Sequence, residues 1–207
     1  MNWLTANNTK LKKSGILAFG IPAFKSAQGH VTCPNAWGCK EGCYAKHGTF
    51  RWPAVAKAYE RRYRFTKDPK FVDTLVAEIK RRRPKYVRIH DSGDFYDHLY
   101  LDKWMLIARS CPQTRFYAYT KMVSMMKLYN GKQGFPPNFT VIFSEGGLED
   151  GQITKLDRHA RIFPDAESLE AAGYADCHLD DLKALGPNRK VGLIYHGAKV
   201  RQFTTHH

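Results

Sequence analysis

The stretch DPKFVDTLVAEIKRRRPKYVRIHDSGD, Asp68 to Asp94, contains a helix, a strand and a polar turn in succession. Phe71, Val72, Leu75, Val76 and Ile79 recur at the spacing that puts them on one helical face. Asp68-Pro69 reads as the helix start, an acid followed by proline. Lys80 to Arg83 suit the negative end of the helix dipole, and Pro84 stops the helix. Tyr86 to His90 then reads as a short strand running into Asp91-Ser92-Gly93-Asp94, a run of turn-forming residues.

The same alternation extends in both directions. Upstream, Pro53 fits the first helical position of a segment to Thr66, with Val55, Tyr59 and Tyr63 on one stripe and Lys57, Arg61 and Arg64 opposite. Downstream, helices are expected over Tyr100–Ser110, Met122–Tyr129 and Ala166–Ala172. Strands are expected over Ile16–Phe19, Arg115–Thr120, Phe139–Ser144, Arg161–Phe163 and Val191–Tyr195. Residues 131–138 and 186–190 read as loose loops. Strands that alternate with helices predict an α/β protein with a mostly parallel sheet. The 207 residues suit one domain, with about 1–15 and 198–207 peripheral. In such folds ligand-binding groups gather where strands end. The expected strands are followed there by His90 to Asp94, Lys121, Glu145 and His196-Gly197.

Three cysteines, Cys33, Cys39 and Cys43, fall in the loop after the first expected strand. Gly38 and Gly42 precede two of them and allow tight turns that bring amide N–H groups to sulfur. Lys40, Lys46 and Arg51 favour the thiolate form. Softness and spacing put a 4Fe–4S cluster first, with one iron left without a thiolate from this loop. Zinc is the alternative, and three unrelated thiols the plainer one. Cys177 is a candidate fourth ligand, or else packs in the core. His30, His47 and His178 are further candidates for zinc. Cys111 ends an apolar helix and reads as a buried structural thiol.

A pocket beside the cluster would draw on His90, Asp91, Ser92, Asp94, Tyr117, Tyr119, Lys121 and Glu145. His90 and the two aspartates are candidate acids, bases or orienting groups, and the tyrosines candidate stacking surfaces. Each also has a plainer reading: a turn that bonds its own backbone, core packing, a loop glutamate.

The chain carries a formal charge of +14. Arg51 to Arg88 holds thirteen basic residues against four acidic ones. A positive field this concentrated favours polyanions, so Lys57, Arg61, Arg64, Arg81, Arg82 and Arg83 are a candidate face for DNA or RNA. The alternative is a solvated helix surface. No apolar run reaches the length of a membrane span, and no signal peptide is visible, so a cytoplasmic protein is expected.

Cys33 to Arg51, Arg88 to Phe95 and Tyr117 to Lys121 together resemble the bacteriophage family of gene product 88, which would place the protein in the host cytoplasm. More distantly, the layout is similar to radical S-adenosylmethionine enzymes, which carry a three-cysteine loop after the first strand of a partial α/β barrel. That resemblance implies a partial (β/α)-barrel-like fold and S-adenosylmethionine as a cofactor at the cluster. It also sets the Asp91–Asp94 turn where those enzymes hold the methionine amino group.

Overall fold

A computed structural model describes residues 2–6, 9–38, 43, 45 and 48–195. Cys39, Lys40, Gly42, Lys46, His47 and residues 196–207 lie outside the described residues.

The strands are β1 (Ile16–Phe19), β2 (Tyr86–Ile89), β3 (Arg115–Thr120), β4 (Phe139–Ser144), β5 (His159–Phe163), β6 (Ala175–Asp176) and β7 (Lys190–Ile194). All pair in parallel in the order β1-β2-β3-β4-β5-β7-β6. Parallel pairing aligns their carboxyl ends along one edge. The helices are α1 (Thr9–Lys13), α2 (Pro53–Phe65), α3 (Phe71–Arg82), α4 (His98–Ser110), α5 (Val123–Gln133) and α6 (Ala166–Ala171).

Side chains alternate between the two faces of the sheet. Leu17, Phe19, Val87, Ile89, Phe116, Ala118, Val141 and Phe143 face outward and pack with the apolar stripes of α2 to α5. Trp104 of α4 is fully buried there, with Phe19 and Phe71 edge-on at 5.3 and 5.7 Å. Ile16, Ala18, Tyr117, Ile142, Ala160 and Val191 face the other way and share one cluster with Leu11 and Cys177. Side chains of the first and last strands thus meet in one inner core, which is what curling the sheet into a half-barrel requires.

Several boundaries differ from expectation for local reasons. Asp68 accepts the Lys70 amide in a turn ahead of α3, so the helix starts at Phe71. It ends with Arg83 in the left-handed region, ahead of Pro84. Asp97 caps α4 by accepting the Tyr100 amide at 2.7 Å, which starts that helix at His98. Residues 131–138 are not loose. α5 runs through Gly131 to Gln133, and the Asn138 amide donates to Ala108, Cys111 and Thr114 carbonyls. Residues 186–190 are held by Arg158, which donates to the Gly186 and Asn188 carbonyls. The opening segment, expected at the periphery, buries Leu4 and Leu11 and pairs Thr5 with Ala18 of β1.

Candidate functional site

The chain leaving β1 lies across the carboxyl ends of the next three strands. Ile21 donates its amide to the Ser92 carbonyl at 3.0 Å, and Asp94 donates to Thr32 at 2.9 Å, fixing the loop to the end of β2. Asn35 donates its side-chain amide to the Lys121 carbonyl at 3.3 Å, beyond β3. Leu148 donates to the Asn35 carbonyl at 3.0 Å, and Ala36 bridges Gly147, beyond β4. Cys33 sits between these ties, half-buried, and its Sγ accepts the Phe24 amide at 3.3 Å. Cys43 is also half-buried. Among the described residues no three His, Cys, Asp or Glu side chains converge as a metal site, and Cys39, the middle member of the cysteine trio, is not among them.

Cys177 lies elsewhere. It follows β6, donates its amide to Gly192 in the middle of β7, and is fully enclosed in the inner core. Burial, the largest influence, pushes its thiol up to about 11. An apolar enclosure that disfavours the thiolate suits packing, not metal ligation. Cys111 is buried at the end of α4, as expected. His30 is engaged locally, its Nδ1 3.4 Å from the Ser26 hydroxyl.

The turn after β2 divides its residues between roles. Strand alternation from Tyr86 and Arg88 would point His90 into the half-barrel. Its backbone instead adopts φ 67°, which turns the ring outward beneath α4. There Nε2 lies 3.0 Å from the Tyr100 hydroxyl and the ring meets Phe95 edge-on at 4.6 Å. Burial, helped by Arg88, lowers its pKa to about 3, so His90 is a neutral core residue and a poor general base. Asp94 is buried with both oxygens occupied. Oδ1 accepts from the Phe95 amide and the Thr120 hydroxyl, and Oδ2 from the Lys121 amide at 2.9 Å. It therefore splices the ends of β2 and β3. Ser92 is buried and serves through its carbonyl.

Asp91 is the buried member that meets the helix leaving the cysteine loop. Its Oδ2 accepts the Tyr59 hydroxyl of α2 at 3.0 Å. A Cβ on Gly20 would lie 1.9 Å from Asp91 Oδ1 and 2.4 Å from the Tyr59 ring, so only glycine fits at the exit of β1. Burial raises the pKa of Asp91 against the opposing pull of Arg88, Tyr59 and Arg62.

The remaining pocket candidates bond to partners in several parts of the fold. Tyr117 is fully buried and donates its hydroxyl to Asp181. Tyr119 lies under the Arg88 guanidinium, 4.7 Å from ring centre. Lys121 Nζ donates to the Ser144 hydroxyl and to the Ser144 and Glu145 carbonyls. Glu145 is bound by Arg161 at 2.5 Å and by the Tyr174 hydroxyl at 3.2 Å.

The basic stretch also splits. Lys57 and Arg64 are exposed on α2, whereas Arg61 is half-buried, 5.6 Å over the Trp3 ring. Arg81 donates to Asn2, and Arg82 to the Leu4 carbonyl and Glu78. Arg81 to Arg83 lie by the start of β2, at the sheet edge opposite the cysteine loop. Of the six cations, Lys57 and Arg64 are exposed, while Arg61, Arg81 and Arg82 are engaged around the segment Asn2 to Leu4.

Sequence reasoning overlooked Asp181, Lys10 and Arg88 as a unit. Asp181 is buried between Lys10 Nζ at 2.9 Å and Arg88 Nη1 at 3.2 Å on the inner face. The available signal was Arg88 itself, a cation inside an otherwise apolar strand, which demands a buried counter-charge.

The gene product 88 family model matches residues 2–204. The chain belongs to the gene product 88 family. It is 29% identical to the Gene 88 protein of Mycobacterium phage D29 over an alignment of 226 positions, covering 96% of this chain and 93% of that one. It is 30% identical to the Gene 88 protein of Mycobacterium phage L5 over 131 residues, 56% of this chain and about half (54%) of the L5 protein. No solved structure matches the chain. Among the described residues no helix of this gene product 88 relative is long and apolar enough to cross a membrane.

Proposed function

We propose that this gene product 88 chain is an iron–sulfur protein whose cluster is held by Cys33, Cys39 and Cys43 over the carboxyl ends of β2 to β4. The observation that carries this reading is the loop that ties Cys33 to those strand ends, with the Phe24 amide directed at its sulfur. Thiolates bound to iron are electron-rich, and amide donors of this kind stabilise them and tune their potential. When bound, a 4Fe–4S cluster with three thiolate ligands supplies one-electron chemistry and one iron open to a small ligand. Asp91 and Tyr59 border the loop as a buried acid and its hydrogen-bond donor. Enclosure by α2 keeps water from them. The layout resemblance makes S-adenosylmethionine the small ligand to try first, and zinc remains the competing metal.

Anaerobic reconstitution with iron and sulfide tests the reading. A brown protein with broad visible absorption and about four irons per chain is expected. Cys33→Ser, Cys39→Ser and Cys43→Ser should each lose iron, while Cys177→Ser keeps it. S-adenosylmethionine should change the electron spin resonance of the reduced cluster; an unchanged spectrum removes that ligand and leaves the cluster. A colourless protein that takes up zinc, or no metal at all, overturns the proposal.

A further inference from the structure

We infer that the surface where the cysteine loop enters α2 binds single-stranded nucleic acid, with Trp52 stacking a base and Arg51, Lys57 and Arg64 meeting phosphates. This names a substrate class for the cluster site proposed above, and rests on that reading for its chemistry but not for its binding.

Two of the four tryptophans are packed. Trp104 is fully buried and Trp3 stacks on Phe65 at 3.8 Å. Trp37, within the cysteine loop, and Trp52, after it, are 66% and 62% exposed. Trp52 is the residue before α2, and of the four cations of that helix Lys57 and Arg64 are exposed while Arg62 is buried and Arg61 half-buried. Lys57 and Arg64 are two turns apart on one side, about 10 Å along the axis. Among the described residues neither they nor Arg51 joins an ion pair, whereas Arg82, Arg88 and Arg161 do. The one acid of α2, Glu60, lies one turn from Lys57 and from Arg64, and its carboxylate accepts the Ala27 amide.

The charge selects a polyanion, and the indole selects its form. A base can stack on an exposed ring only when it is unpaired and unstacked, so the combination discriminates single strands from duplexes. Cations alone would track either.

The test is fluorescence anisotropy on the full chain, both cluster-loaded and metal-free, with labelled DNA and RNA single strands and a duplex of the same sequence. Single strands should bind about 10-fold or more tighter than the duplex. The preference between the two strands identifies the natural one. Lys57→Glu with Arg64→Glu should weaken every substrate and flatten the salt dependence for single strands by about 1.4 log units per log unit of salt, two phosphates' worth. Trp52→Ala should weaken single strands about 10-fold and leave the duplex unchanged. Equal binding of duplex and single strands, or indifference to both variants, overturns the inference. Absent binding with iron retained overturns it alone; binding with no iron uptake overturns only the cluster reading.

Discussion

Asp181 and Asp91 are both buried carboxylates beside Arg88, one inside the half-barrel and one at its carboxyl edge, and their surroundings drive them in opposite directions. Burial pushes Asp181 up, but Arg88, Lys10 and the Tyr117 hydroxyl together overturn that and hold its carboxyl below the ordinary range. Asp91 receives a hydroxyl from Tyr59 and is lowered by the charges of Arg88 and Arg62, and burial wins. The inner network is satisfied and ties α1 to the segment before β7. The carboxyl edge instead keeps a carboxyl shifted toward its neutral form beside a cysteine loop. Shifts of that kind gather where chemistry is done.

The most direct way to break this comparison is to remove the inner carboxylate. Asp181→Ala leaves Arg88 and Lys10 without their shared counter-charge in an apolar interior. That should destabilise the fold by about 3–5 kcal/mol, the usual effect of orphaning one side of a buried pair. For a domain of this size the melting temperature should fall by about 6–20 °C. Urea denaturation showing a change under about 1 kcal/mol would mean that the network contributes no more than a surface pair.

A smaller effect is expected at the carboxyl edge. Gly20→Ala drives a methyl into Asp91 and Tyr59 and should cost about 1–3 kcal/mol. It should also lower iron uptake, because the carboxyl and the tyrosine move apart. Gly38→Ala, on the same loop but with no described residue beyond its chain neighbours within 4 Å of an added Cβ, should stay within about 0.5 kcal/mol of the parent. If the two alanines behave alike, Gly20 does not set the position of Asp91.

How far these regions were readable in sequence follows from the range of the forces involved. β1, β3 and β4 were legible to the residue, because apolar runs bounded by turn residues announce buried parallel strands. α1 and β6 were not, since five and two residues are too few for a period to emerge. The cysteine loop was conspicuous by its composition. What it is fastened to was not, because its ties to Ser92 and Gly147 run between backbone groups that every residue carries, and the Asn35 side chain reaches only the Lys121 carbonyl. His90 and Glu145 were placed near the site by counting along strands. A left-handed backbone at His90 and the Arg161 partner of Glu145 are tertiary facts that such counting cannot see.

The finest contrast lies between His90 and Asp94 within the same turn, and it is readable by pH. His90 falls from its ordinary 6.5 to about 3, so its contribution to stability is present above pH 6.5 and is lost as pH falls toward 3. Asp94 rises from 3.8 to about 6, with burial outweighing its three donors. Its contribution is therefore full below pH 3.8 and is lost as pH rises through 6. Between pH 6 and 4 the two slopes oppose, each at most about 1.4 kcal/mol per pH unit, and Asp91 adds to the sense of Asp94. His90→Asn, a residue that tolerates the left-handed backbone and does not titrate, should become more stable relative to its own pH 7 value as pH falls from 6 to 4. Asp94→Asn should fall below the parent's change over the same interval, by up to about 1.4 kcal/mol per unit, because Asp91 still titrates in the opposite sense to His90. Three parallel curves for parent and variants, measured by urea unfolding, would show that neither group is shifted. The carboxyl edge would then differ from the inner network in geometry alone.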